Sequence, residues 1–161
     1  MEYQGSLKNI AGMIDHSLLH PTLTDEELLH GCRLAMKYEV AAVCVKPYAV
    51  KSARQLLESS KVTICSVVSF PHGNSTTENK VREALQAIVD GATELDMVVN
   101  VGKILSGDWD YVSAEIKAVN EAVTHENAIL KVIFENAYLN DAQIIRLCEI
   151  CSEHHTAFVK T

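Results

Sequence analysis

The sequence predicts an α/β fold built on a parallel sheet. Short apolar runs alternate with longer amphipathic segments along the 161 residues. The runs are near-continuous in Val, Ile and Ala instead of alternating with polar residues, as strands covered on both faces are. The segments between them open on capping residues and repeat apolar positions every three or four residues, as helices lying on a sheet do. Strand–helix units of this kind fit right-handed crossovers between parallel strands.

The first expected strand is Gly12-Met13-Ile14. A helix then opens at Thr24 and Glu27, a capping box in which hydroxyl and carboxylate satisfy N–H groups of the first turn, and Leu28, Cys32, Ala35 and Met36 line one face. Ala41-Ala42-Val43-Cys44-Val45 makes the second strand and residues 62–68 the third. Ser75 and Glu78 form a second box, followed by Val81, Ala84, Leu85 and Ile88, with Gly91 as the stop. Residues 95–99 are the fourth strand. The helix after Asp108 places Val112, Ile116, Val119 and Val123 inward, and residues 129–134 form the fifth strand. Asn140 caps the next helix, with Ile144, Leu147 and Cys151 inward, and Ala157-Phe158-Val159 is the sixth strand. No linker, low-complexity tract or domain boundary interrupts the alternation, so residues 1–161 read as one domain. Five βα units plus a sixth strand admit two architectures. One is an open, doubly wound sheet of flavodoxin type. The other is a (β/α)8 barrel cut short, since a whole one needs about 200 to 250 residues.

Composition excludes several classes of function. With 48% hydrophobic and 22% charged residues the chain is an ordinary globular protein. Its net charge is −7, and Lys and Arg are scattered, which argues against a nucleic-acid partner. No apolar run approaches the roughly 18 to 20 residues that cross a bilayer. The segment from Met1 to Lys8 lacks the basic and apolar regions of a signal peptide, so a cytoplasmic protein is expected. The five cysteines, odd in number, read as reduced thiols. Cys148 and Cys151 form a C-x-x-C inside a helical pattern, without a second pair to complete a zinc site. Neither nucleotide-binding glycine motif is present, nor H-E-x-x-H, nor G-x-S-x-G.

Three ionisable side chains fall where a strand should be dry: Asp96, Lys131 and Lys160. A buried unpaired charge costs several kcal/mol, so these groups need partners and are natural partners for each other. A lysine in apolar surroundings beside another cation has a lowered pKa, and only the neutral amine attacks a carbonyl. A nearby aspartate can move the protons. The plainer reading is a snorkelling lysine and a structural ion pair. The catalytic reading stays open beside it, because α/β folds gather their sites at strand C-termini.

Six segments resemble the deoxyribose-phosphate aldolase family. They are Met13-Ile14-Asp15-His16-Ser17-Leu18-Leu19, Val43-Cys44-Val45-Lys46-Pro47, Val67-Val68-Ser69-Phe70-Pro71-His72-Gly73, residues 91–102, Leu130-Lys131-Val132-Ile133-Phe134-Glu135, and Ala157-Phe158-Val159-Lys160-Thr161. Each is weak alone; six in the family's order and spacing are specific. The resemblance implies a (β/α)8 TIM barrel and a class I lyase. Such an enzyme cleaves 2-deoxyribose 5-phosphate reversibly to glyceraldehyde 3-phosphate and acetaldehyde, with no metal and no cofactor. It implies Lys160 as the Schiff-base lysine and Asp96 as the acid that moves protons. Asp15, Cys44, Lys131 and Thr161 would line the substrate pocket, with Lys131 ordering Asp96 or tuning the nucleophile. The partner implied is a small phosphosugar or aldehyde, and a homodimer is compatible with it. Ser17, Ser69 and Asn136 depart slightly from the family pattern.

The larger departure is at the end of the sequence. The family continues past this lysine through a Ser-Thr-Gly-rich turn, a strand with a second, tuning lysine, and loops that hold the phosphate. The expectation is therefore the first five βα units plus strand six of the barrel. Two readings follow. In one, the catalytic assignment holds for a complete aldolase, while the 161 residues alone do not turn over substrate. In the other, an incomplete, non-catalytic barrel associates through its open sheet edges.

Overall fold

The computed structural model describes residues 7–161; the segment Met1–Ser6, on which the reading of a missing leader rested in part, lies outside the described residues. Six strands form one sheet: β1 (Asp15–Leu18), β2 (Ala42–Val45), β3 (Thr63–Val68), β4 (Glu94–Val98), β5 (Ile129–Ile133) and β6 (Phe158–Lys160). Every neighbouring pair is parallel and the strand order is 1-2-3-4-5-6. An open doubly wound sheet would place strand 2 at its edge, so the order selects the barrel over the flavodoxin type. The strands alternate with helices α1 (Leu7–Ala11), α2 (Asp25–Tyr38), α3 (Val50–Leu56), α4 (Thr77–Asp90), α5 (Val101–Leu105), α6 (Trp109–His125) and α7 (Asp141–Glu153). Among the described residues no helix is long and apolar enough to cross a membrane.

The first strand begins later than its apolar run suggests. Gly12 and Met13 are instead tied back to Lys8 and Ile10 in the turn that ends α1, and Met13 is 78% exposed. Ile14 contributes only its carbonyl, which accepts from the N–H groups of Ala41 and Ala42. Asp15 is thereby carried onto β1 itself.

Local signals explain most helix starts. Thr24 Oγ1 accepts from Glu27 N at 3.3 Å and Glu27 Oε2 accepts from Thr24 N at 2.8 Å, a closed capping box. Asn140 and Gln143 repeat the arrangement at α7, and Asp108 caps α6. At α4 the cap is Thr76 and not Ser75. The Ser75 N–H is taken by Ser69 Oγ in the preceding loop, and Glu78 turns outward to pair with Arg82. The face of α4 that is fully buried is correspondingly Lys80, Ala84 and Ala87, while Val81, Leu85 and Ile88 are only partly covered. On α2, Met36 is 37% exposed, and its place in the packing goes to Gly31. A Cβ at Gly31 would lie 2.4 Å from a Leu18 methyl, so glycine here lets helix and strand pack without displacing the Leu18 side chain.

Two apolar clusters occupy the two faces of the sheet. The larger lies between strands and helices and includes Val43, Val45, Leu95, Met97, Leu130, Val132, Ile116 and Leu147. The smaller, Ala42, Cys44, Cys65 and Val67, belongs to the opposite, inner face. Alternation along each strand then decides which polar groups share that inner face.

Candidate active site

Asp96 follows Glu94 by two residues on β4, so both point inward. The strand register sets Asp96 beside Lys131 of β5 and Ile133 of β5 beside Lys160 of β6. Lys160 therefore reaches in one layer above Lys131, toward the C-terminal ends of the strands, where barrels of this type build their sites. Asp15 arrives from β1 and Cys44 from β2.

These side chains meet in one charged cluster. Lys160 Nζ is 2.5 Å from Asp96 Oδ2 and 3.2 Å from Asp15 Oδ2. Lys131 Nζ is 2.6 Å from Glu94 Oε2, 2.7 Å from Asp15 Oδ2 and 3.5 Å from Asp96 Oδ1. The Cys44 thiol donates to Asp96 Oδ2 at 3.7 Å. The Asp96 side chain is 1% exposed and that of Lys131 5%, whereas Lys160 keeps 27% of its surface open. An amine with a route to solvent thus stands over a buried carboxylate. Asp96 Oδ1 accepts no hydrogen bond among the described residues and is held only by the longer ion pair with Lys131.

Of the residues singled out in the sequence, Asp15, Cys44, Asp96, Lys131 and Lys160 are brought together. Thr161 is exposed just past β6 and makes no part of this cluster. Two members were missed. Glu94 is a direct partner of Lys131, and Cys65 lies 4.0 Å from the same amine. The period-two alternation held the signal for Glu94, because a residue two before an inward aspartate shares its face.

The electrostatics reverse one expectation. Three carboxylates, Asp15, Glu94 and Asp96, face two ammonium groups. Burial opposes the charge on Lys160, but the Asp96 carboxylate and then Asp15 outweigh it and raise its pKa above the ordinary lysine value. The expected lowering is therefore absent: Lys131, the cation that presses on Lys160, is itself paired with carboxylates. Burial likewise works against Lys131, yet the Cys65 sulfur, Asp15 and Glu94 hold its ammonium well above the usual range. Burial of Asp15 would raise its pKa, but the two lysines hold it below the ordinary value. The neighbouring Cys44 thiol, with burial, pushes Cys65 up.

The donor atoms of Cys44, Cys65 and Asp96 lie within 4.8 Å of one another, a spacing that suits a soft cation. The Lys131 and Lys160 ammonium groups already supply positive charge to Cys65 and Asp96, and the Cys44 thiol donates to Asp96. A surface concavity of about 700 Å³, lined by Lys8, Met36, Glu39, Ser60 and Val62, carries none of these groups.

Six consecutive parallel strands with an inward layer of paired charges form the larger part of a (β/α) barrel. Residues 10–161 match the family model described as DeoC/LacD family aldolase, and the chain belongs to that family. It is 50% identical over 153 residues to the deoxyribose-phosphate aldolase of Rhodopirellula baltica, covering 95% of this chain and 64% of that one. It is 46% identical over 162 residues to the deoxyribose-phosphate aldolase of Caldanaerobacter subterraneus, covering 100% of this chain and 70% of the relative. The tetrameric deoxyribose phosphate aldolase of Aeropyrum pernix superposes with a TM-score of 0.89 at 30% identity, over 97% of this chain and 65% of that chain. The chain thus spans roughly two thirds of the length of the proteins it matches.

Proposed function

We propose that the protein is a deoxyribose-phosphate aldolase that works through a Schiff base on Lys160. The observation that carries this reading is the Lys160 amine at the C-terminal end of a barrel strand, 2.5 Å from a buried aspartate and partly open to solvent. The neutral amine adds to the C1 aldehyde of open-chain 2-deoxyribose 5-phosphate, and loss of water gives an iminium. The iminium withdraws electrons as the C2–C3 bond breaks and the C3 hydroxyl gives up its proton. Glyceraldehyde 3-phosphate leaves, the enamine is protonated at C2, and hydrolysis releases acetaldehyde. Asp96 takes the proton that Lys160 must lose and returns protons to the carbinolamine oxygen, its free Oδ1 serving as the second acceptor. Lys131 pairs with Asp96 and holds Asp15 in place, and Cys44 lines the wall below the amine; Thr161, exposed just past β6, is assigned to the substrate pocket there.

A non-catalytic reading is less well supported. Five charged side chains are kept inside the barrel at a desolvation cost that apolar residues of similar size would avoid. A cytoplasmic location suits a phosphorylated substrate. Self-association, at the least as a homodimer, accords with the tetrameric Aeropyrum pernix relative.

The test is to incubate the full-length protein with acetaldehyde and cyanoborohydride and locate the added mass by peptide mass spectrometry. An ethyl group confined to Lys160 is the expected result. Labelling spread over surface lysines, or normal turnover in Lys160→Leu, would overturn the assignment.

A further inference from the structure

Lys131 is the pivot of the charged cluster, and what holds it lies below the reacting centre. Its amine faces Asp15 from β1, Cys65 from β3, and Glu94 and Asp96 from β4, while Cys44 on β2 and Lys160 on β6 both touch Asp96. Its shortest contact is with Glu94, at 2.6 Å, and its longest ion pair is with Asp96, at 3.5 Å. Glu94 is fixed from its other side as well, since the Thr63 hydroxyl of β3 donates to Oε1 at 2.7 Å. Thr63, Glu94 and Lys131 thus form a brace across three neighbouring strands, in which Lys131 is in register with Asp96 while Glu94 and Thr63 lie nearer the N-terminal ends. The brace consumes a carboxylate that neither touches Lys160 nor reaches the open side of the site.

We propose that Glu94 is a positioning residue which, braced by Thr63, draws the Lys131 ammonium away from Asp96 and so leaves the Asp96 carboxylate to Lys160. The inference rests on the reading of Lys160 as the nucleophile. Without Glu94, Lys131 keeps Asp15 at 2.7 Å and turns to Asp96, at 3.5 Å its only other carboxylate partner among the described residues. Both changes act on Lys160 in the same direction. One negative charge leaves the cluster, and the carboxylate that stabilises the Lys160 ammonium is shared with a competitor. More of Lys160 is then neutral at a given pH, while the Asp96 proton shuttle is pulled out of line.

The experiment is the rate of Lys160 labelling by acetaldehyde and cyanoborohydride, followed from pH 7 to 10 in the full-length wild type, Glu94→Gln and Thr63→Val. Below the lysine pKa the neutral fraction rises tenfold for each unit by which that pKa falls. Glu94→Gln is expected to label roughly tenfold faster than wild type at pH 8 and to turn over deoxyribose 5-phosphate more slowly. Thr63→Val, which frees Glu94 without removing its charge, moves labelling the same way by a smaller factor. A merely structural role predicts slower labelling at every pH, and that result, or an unchanged rate, would overturn the proposal. Should Glu94→Gln fail to fold, Thr63→Val carries the same test. Absence of any Lys160 adduct in the wild type would instead remove the reading on which the inference rests.

Discussion

Lys160 and Asp96 meet at 2.5 Å although they stand on β6 and β4, with β5 between them. The strand between them supplies Lys131, which reaches the other oxygen of the same carboxylate at 3.5 Å. One buried aspartate is therefore shared by two lysines unequally, and the nearer one is the more exposed. Loss of Asp96 should affect binding of the aldehyde and movement of protons in opposite senses.

In Asp96→Asn the main group holding the Lys160 proton is gone, so the lysine pKa falls and imine trapping at pH 8 persists or quickens. Turnover depends on the lost proton shuttle and should drop by about 10² to 10⁴. Parallel measurement of Lys160 labelling and product formation checks this. Equal loss of both would mean that Asp96 only holds the site together.

The same cluster gives a sign for stability against pH. The folded pKa of Lys131 and Lys160 lies above the lysine value of 10.5, so their contribution is complete below that and fades as pH climbs through the raised values. That of Asp15 lies below 3.8, so its contribution is present above that and fades as pH falls through the lowered value. The difference in thermal midpoint between wild type and Lys131→Met should thus stay flat from about pH 5 to 9 and shrink on both sides. A difference that changes steeply between pH 6 and 8 would contradict this assignment of charges.

Much of this was legible in the chain because local rules and burial agreed. Thr24 and Glu27 announce a helix wherever they lie, and the apolar runs at residues 62–68 and 129–134 fit only covered strands. Asp96, Lys131 and Lys160 stood out because charge is rare in such runs. What escaped was set by tertiary contacts. Ser75 resembles a cap but is claimed by Ser69, Glu94 sits at a strand end where an acid reads as solvent-facing, and Lys80 lies on a face that alternation alone would leave to Val81.

Lys80 supplies the third prediction. Its amine is wholly buried between helices α4 and α6, 2.8 Å from Glu115 and 2.8 Å from the carbonyl of Val98 at the end of β4. Burial lowers the Lys80 pKa and raises that of Glu115, each opposed by the other's charge. Lys80→Met leaves an uncompensated carboxylate and should cost about 3 to 5 kcal/mol in denaturant unfolding. Adding Glu115→Leu should recover most of that loss. A double variant no more stable than Lys80→Met would show that the Val98 carbonyl, and not the ion pair, is what Lys80 serves.

The last prediction concerns the loop after β3, which closes over the same end of the sheet. Gly73 has φ +66°, and its N–H donates to Ser69 O at 2.7 Å, folding the loop back on itself. A Cβ at Gly73 would lie 2.0 Å from the Val99 carbonyl oxygen, a backbone atom just past β4 that cannot turn aside. Gly73→Ala meets both penalties at once, a disfavoured backbone region and a clash with main chain, and should destabilise by more than about 1 kcal/mol. The clash pushes on β4 three residues beyond Asp96, so slower Lys160 labelling should accompany the loss of stability. Gly107 is the control: it has φ +73° with no atom within 4 Å of an added Cβ. Gly107→Ala should pay only the conformational part and leave labelling unchanged. If both variants lose stability equally and label alike, the contact between the β3 loop and β4 has no bearing on the site.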